Sequence, residues 1–137
     1  MSHENVEMAR RLSEAFNRTF REGTPDLYEL LDPEVEWIPM SALLMGTRYH
    51  GPDEVRQWVE EMQRDWASFE VRPERYLDLG GDLVLIIGEW RAQGRGGGEL
   101  LDFPQASWLT RYRKGKVSLL ETFTDREKAL EAVGLRE

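Results

Sequence analysis

The segment "RAQGRGGGELLDF", residues 91–103, decides the fold, because it is either a phosphate-binding loop or a turn between two strands. Gly94, Gly96, Gly97 and Gly98 fall within five positions of it. A dinucleotide loop needs Gly-x-Gly-x-x-Gly after a strand and at the start of a helix. Gly94 and Gly96 fit the first two places, but Glu99 stands where the third glycine belongs. No helix follows, since "ELLDFPQASWLTRYR" carries Pro104 and reads as extended chain. A P-loop would need Lys-Ser or Lys-Thr after its last glycine, and Glu99-Leu100 follows instead. The run therefore reads as a hairpin turn, in which glycine takes positive φ without steric cost.

That hairpin joins a strand over 83–93 to one over 100–113. Two more strands are expected at 69–78 and 116–124, with Gly80-Gly81 and Lys114-Gly115 in the turns. In "LVLIIG" the apolar residues are consecutive, so both faces of that strand should be buried. Helices can cover one face; the other would present Leu83, Leu85 and Ile87, joined by Leu109, Leu119 and Phe123. A second copy of the chain is the simplest cover, which predicts a homodimer through the outer face of the sheet.

Upstream, Val6, Ala9, Leu12, Phe16 and Phe20 recur at helical spacing, and Gly23 ends that helix. "TPDLYELLDP" reads as a short helix with Thr24 as N-cap and Asp32-Pro33 as its stop. "EVEWIPM" alternates as a strand does. In "HGPDEVRQWVEEMQRDW", Pro52 opens a helix whose stripe is Val55, Trp58, Val59, Met62 and Trp66. Thr124 and Glu127 stand at capping-box spacing before a last helix that Gly134 stops. Helices, a meandering antiparallel sheet and a terminal helix make an α+β fold, a single domain over residues 1–137.

Composition narrows the functions. A formal charge of −8 repels a phosphate backbone, so nucleic acid is not an expected partner. The absence of cysteine removes thiol nucleophiles, thiolate metal sites and disulfides. His3 and His50 are the only histidines and form no ligand spacing, so no metal and no cofactor is expected. No apolar run reaches membrane-spanning length, and "MSHENVEMARR" has no signal-peptide core, so a cytoplasmic protein is expected.

Six phrases in order carry a resemblance: "ENVEMARRLSEAFN", "LYELLDPEVEW", "YHGPDEVRQWVEE", the hairpin before Phe103, "RKGKV" and "ETFTDREKALEAVGL". Over nearly its whole length the chain resembles the SnoaL-like polyketide cyclase branch of the nuclear transport factor 2-like superfamily. The resemblance implies a cone-shaped, cystatin-like fold: a curved antiparallel sheet closed by N-terminal helices around one pocket. It does not imply an activity, since the fold hosts isomerases, cyclases, hydrolases, dehydratases and binding domains. Where the related ketosteroid isomerases carry their oxyanion donor and two carboxyls, this chain has Phe16, Trp37 and Trp108. Where epoxide hydrolases of the fold carry an Arg and two Asp, it has Trp90, Ala92 and Thr122. Neither catalytic set is present.

The parity of the hairpin places Val84, Ile86, Gly88, Trp90 and Ala92 on one face, with Ala106, Trp108, Thr110 and Tyr112 beside them. Leu120 and Thr122 join from the last strand. Phe16, Trp37, Trp90, Trp108, Thr110, Leu120 and Thr122 are the candidate ligand contacts. Aromatic walls suit a small apolar or aromatic molecule, although tryptophans in a small domain are as readily plain core. Trp58 and Trp66 on the helix stripe read as packing. His50, Asp102 and Tyr112 are weak candidates for acid–base chemistry; a lone His before a helix is more often a structural cap residue, and Asp102 near the hairpin end reads as solvated. Glu121 should face outward, paired with Arg91 or Arg111. Two readings remain. One is a ligand-binding protein without a complete catalytic set; the other is a polyketide cyclase- or isomerase-like enzyme acting on an enolisable carbonyl.

Overall fold

The computed structural model describes residues 2–40, 46–96, 98 and 100–134. Its first helix, α1 (Ser2–Glu22), buries Ala9, Leu12, Phe16 and Phe20 along the anticipated stripe. Gly23, at φ +75°, ends it by donating to the Thr19 carbonyl at 2.9 Å. Helix α2 (Asp26–Glu29) is one turn long, and Pro25 rather than Thr24 occupies its cap. Strand β1 (Leu31–Ile38) begins before Asp32-Pro33, so that pair lies inside a strand instead of merely stopping a helix. The ladder register shifts between Leu31 and Glu36, as a residue without an N–H requires.

After the short β2 (Tyr49–His50), α3 (Pro52–Asp65) starts at Pro52 and buries Val55, Trp58 and Val59. Four long strands follow: β3 (Trp66–Asp78), β4 (Leu83–Gly94), β5 (Leu100–Arg113) and β6 (Lys116–Phe123). The glycine run does join β4 to β5 as an antiparallel hairpin, although Gly97 and Glu99 lie outside the described residues. Helix α4 (Arg126–Ala132) closes the chain. Its N-cap is Asp125, whose carboxylate accepts from the Glu127 N–H at 2.8 Å, one residue later than the capping box at Thr124 predicts. No helix among the described residues is long and apolar enough to cross a membrane.

The six strands form one sheet in the order β2-β1-β6-β5-β4-β3, antiparallel throughout except where β1 runs parallel to β6. The fold is mixed α+β with a curved, open sheet, and α1 and α3 lie against its concave face. The bend centres on Gly88. There β3 carries an extra residue around Pro73-Glu74, and β5 carries one around Pro104-Gln105. A Cβ on Gly88 would stand 2.3 Å from the Arg72 carbonyl oxygen, so only glycine lets β3 approach this closely. Bulges on both sides of one glycine add twist where the sheet must turn over the helices.

Both faces of β4 are buried, as "LVLIIG" predicts. The cover on the outer face differs from expectation. Leu85, Ile87 and Leu109 pack against Ala129 and Leu130 of α4, with Leu83 and Phe123 at the edge of the same cluster. The chain's own last helix therefore packs on Leu85, Ile87 and Leu109, with Leu83 and Phe123 beside them, while Leu119 lies outside that cluster. Away from that cluster the face carries ion pairs: Arg91 reaches Glu89 at 3.4 Å and Asp102 at 3.5 Å, and Arg72 reaches Glu70 at 2.9 Å. Arg111 pairs with Asp82 at 3.9 Å, so neither arginine takes Glu121 as its partner.

Candidate functional site

Between the concave face of the sheet and the helices lies a cavity of about 240 Å³. From the sheet, Ile86, Trp90, Trp108, Leu120 and Thr122 face it, and Trp37 enters from β1. Leu12, Ser13 and Phe16 of α1 form a second wall. The pairing explains the shared face: Ile86 lies opposite Trp108, and Trp108 opposite Thr122. Six of the seven candidate contacts thus line one space. Thr110 does not. Its hydroxyl donates to the Val84 carbonyl at 2.9 Å and meets the Tyr112 hydroxyl at 2.8 Å, inside the packed end of the sheet.

Trp58, Met62 and Trp66 also border the cavity, together with Phe69 and Val71 of β3. All five tryptophans of the chain therefore meet at one space, including the two that read as packing. Helical periodicity identifies the face that turns inward; it carries no information on whether the space beyond that face is filled. The aromatic groups are locked against each other. Trp90 stacks on Phe69 with ring centres 4.9 Å apart and on Phe103 at 4.1 Å. Since β3 and β5 flank β4 on opposite sides, both faces of this indole are covered and its rim is left to the cavity. Trp58 contacts Trp37 at 5.8 Å and Phe16 at 5.9 Å.

The bulge in β5 decides the fate of Asp102. Simple alternation puts Asp102 on the inner face with Trp108. The extra residue at Pro104-Gln105 reverses the parity, so Phe103 lies opposite Trp90 and Asp102 opposite Arg91 on the outer face. His50 stands exposed just before α3, with Nε2 3.1 Å from a Glu34 carboxylate oxygen. Its backbone N–H donates to Glu54 at 2.8 Å, the helix-cap role. Tyr112 is buried, and burial pushes its hydroxyl well above the ordinary tyrosine range. None of the three reaches the cavity wall.

Among the described lining residues there is no Asp, Glu, His, Lys, Arg or Tyr. The polar groups are the indole N–H groups and the hydroxyls of Ser13 and Thr122, and Ser13 already donates to the Ala9 carbonyl at 3.2 Å. One donor stands apart. Trp37 is 2% exposed and its Nε1 has no hydrogen-bond partner among the described residues. A buried donor left unpaired costs on the order of 1–3 kcal/mol, a cost that an acceptor brought to it would remove. Among the described residues no cluster of His, Asp and Glu side chains could hold a metal ion.

A sequence profile of the SnoaL-like domain matches residues 9–120. No curated protein is a match in sequence. Among solved structures, an NTF2-like protein of unknown function from Burkholderia pseudomallei is 21% identical and superposes with a TM-score of 0.74, covering 96% of this chain and 98% of that one. TerC, co-crystallised with polyporic acid, is 18% identical with a TM-score of 0.71, covering 95% and 98%. A candidate SnoaL-like polyketide cyclase from Shewanella denitrificans is 14% identical with a TM-score of 0.68, covering 87% and 88%. At these identities the likeness is one of fold.

Proposed function

The chain belongs to the SnoaL-like domain family of the NTF2-like superfamily, and on that premise we propose that it binds a small apolar or aromatic molecule without chemically transforming it. The observation that carries this reading is the cavity lining, which holds all five tryptophans and no ionisable side chain among its described residues. An aromatic wall contributes contact area, and one donor fixes orientation. The unpaired Trp37 N–H supplies that donor, so the ligand carries a hydrogen-bond acceptor, such as a carbonyl oxygen, on an otherwise apolar body. TerC, of the same fold, was crystallised with an organic acid, which is consistent with the fold holding such molecules.

The cyclase name belongs to the Shewanella protein. The same chemistry here would need a group able to take a proton from carbon within hydrogen-bond reach of the substrate. His50, Asp102 and Tyr112 all lie away from the described wall, so the binding reading is preferred.

Titration with 2-acetonaphthone, a neutral aromatic ketone, tests the proposal. Binding at a hundred times Kd should stabilise the fold by about 2.7 kcal/mol, read as a rise in Tm. Deuterium exchange at the ketone's methyl group should match buffer alone. Exchange accelerated by the protein would replace the binding reading with the isomerase-like one. No thermal shift with this ketone or with neutral arenes of similar size would remove both.

A further inference from the structure

Beside the aromatic cavity lies a second cleft of about 540 Å³, which shares Trp66 and Phe69 with it as lining residues. The cleft sits at the free edge of the sheet, because β3 is the outermost strand there. Its charge runs against that of the molecule. In a chain of formal charge −8, Arg21, Arg72, Arg91 and Arg95 line it, with Glu70 as the one carboxylate among the described lining residues. The four are not equally committed. Arg72 and Arg91 are held in the ion pairs of the outer sheet face, and Arg21 pairs with its neighbour Glu22 at 3.0 Å. Arg95 donates to the Gln63 and Arg64 carbonyls at 3.1 Å, at the end of α3, and its guanidinium has no carboxylate partner among the ion pairs of the described residues.

From this juxtaposition we propose that the natural ligand is an amphipathic organic acid. Its apolar ring system occupies the tryptophan cavity, and its carboxylate reaches past Trp66 and Phe69 to the arginine cleft, with Arg95 and Arg21 as its main partners. The proposal rests on the binding reading above and adds the charge of the ligand to it. Guanidinium groups take a carboxylate through two parallel hydrogen bonds, and the fixed backbone contacts of Arg95 orient its planar fork in advance. The net charge of −8 works against an anion over the molecule as a whole, and the four arginines offset it locally at the cleft.

A matched pair of probes separates this claim from the reading beneath it: 2-naphthoate and its neutral methyl ester, titrated against the full chain by calorimetry. At low salt the acid should bind about tenfold more tightly than the ester. The advantage should shrink several-fold at 0.5 M salt, because the cleft is open to solvent. In the Arg21→Gln/Arg95→Gln variant the acid should fall to the affinity of the ester, while the ester is unchanged. Ser68→Glu adds a carboxylate to the cleft without touching any arginine contact, and should weaken the acid alone. Unchanged ester binding certifies the fold of each variant. If ester and acid bind equally to the parent protein, or the advantage survives both variants, the acidic-ligand proposal is overturned and the binding reading stands. If neither probe binds, the binding reading fails and takes this inference with it.

Discussion

Two residues concentrate the chemistry of the cavity and the shape around it. Trp37 lines the cavity and carries a buried Nε1–H with no partner among the described residues, and Trp37→Phe removes that donor while keeping an aromatic ring. A single hydrogen bond is worth about 0.5–1.5 kcal/mol net, so affinity for 2-acetonaphthone should drop roughly threefold to tenfold. Affinity for 2-ethylnaphthalene, which has no acceptor, should stay within about twofold. Equal losses for both ligands would mean that the ring matters and the N–H does not. Gly88 is the counterpart for shape. With a Cβ placed 2.3 Å from a backbone oxygen, Gly88→Ala must push β3 away from β4. The cost should exceed about 2 kcal/mol in urea unfolding, since neither backbone can yield cheaply. A neutral outcome would show that the bulge at Pro73-Glu74 is free to shift.

At the scale of elements, α4 turns a face of the sheet into a second, smaller core. Leu130→Ala should cost about 2–5 kcal/mol, the range for a buried leucine, and should expose Leu85, Ile87 and Leu109. Sedimentation of that variant checks the consequence: association that is stronger than in the parent protein is expected once the apolar patch is uncovered. The four long strands were legible in the sequence, although β3 begins at Trp66, which helical spacing assigns to the α3 stripe, and the short β2 was not anticipated. Paired glycines and Lys114-Gly115 bracket them, and the antiparallel pairing of β4 with β5 follows from the hairpin. Caps were misplaced by one residue where two cap-forming residues adjoin, as at Thr124-Asp125, because only local geometry selects between them. The bulge that turns Asp102 outward and brings Phe103 onto Trp90 was not legible. Alternation assumes an unbroken ladder, and Pro104 signals a break without saying which neighbour absorbs the extra residue. The coverage of "LVLIIG" was legible as a need, but a seven-residue helix beyond the last strand could have packed on any surface.

Across the whole molecule, the four tyrosines share one electrostatic property. Burial raises the hydroxyls of Tyr28, Tyr49, Tyr76 and Tyr112 above their ordinary value, with Tyr112 the most displaced. A group with a raised folded-state pKa holds its proton in the native protein at a pH where the unfolded chain has lost it. Its stabilising contribution is complete below the unfolded pKa of about 10 and is lost as pH rises from there toward the folded value. Stability should therefore be level with respect to tyrosine below pH 10 and should fall steeply above it. Tyr112, buried with its hydroxyl on Thr110, contributes up to about 1.4 kcal/mol per pH unit to that fall. Tyr112→Phe should lose about 1 kcal/mol at neutral pH with the hydrogen bond, yet decline less steeply than the parent between pH 10 and 11.5. Urea midpoints measured across that interval check the difference in slope. Parallel slopes would mean that the Tyr112 hydroxyl ionises in place, and that the packed end of the sheet admits water where the structure closes it.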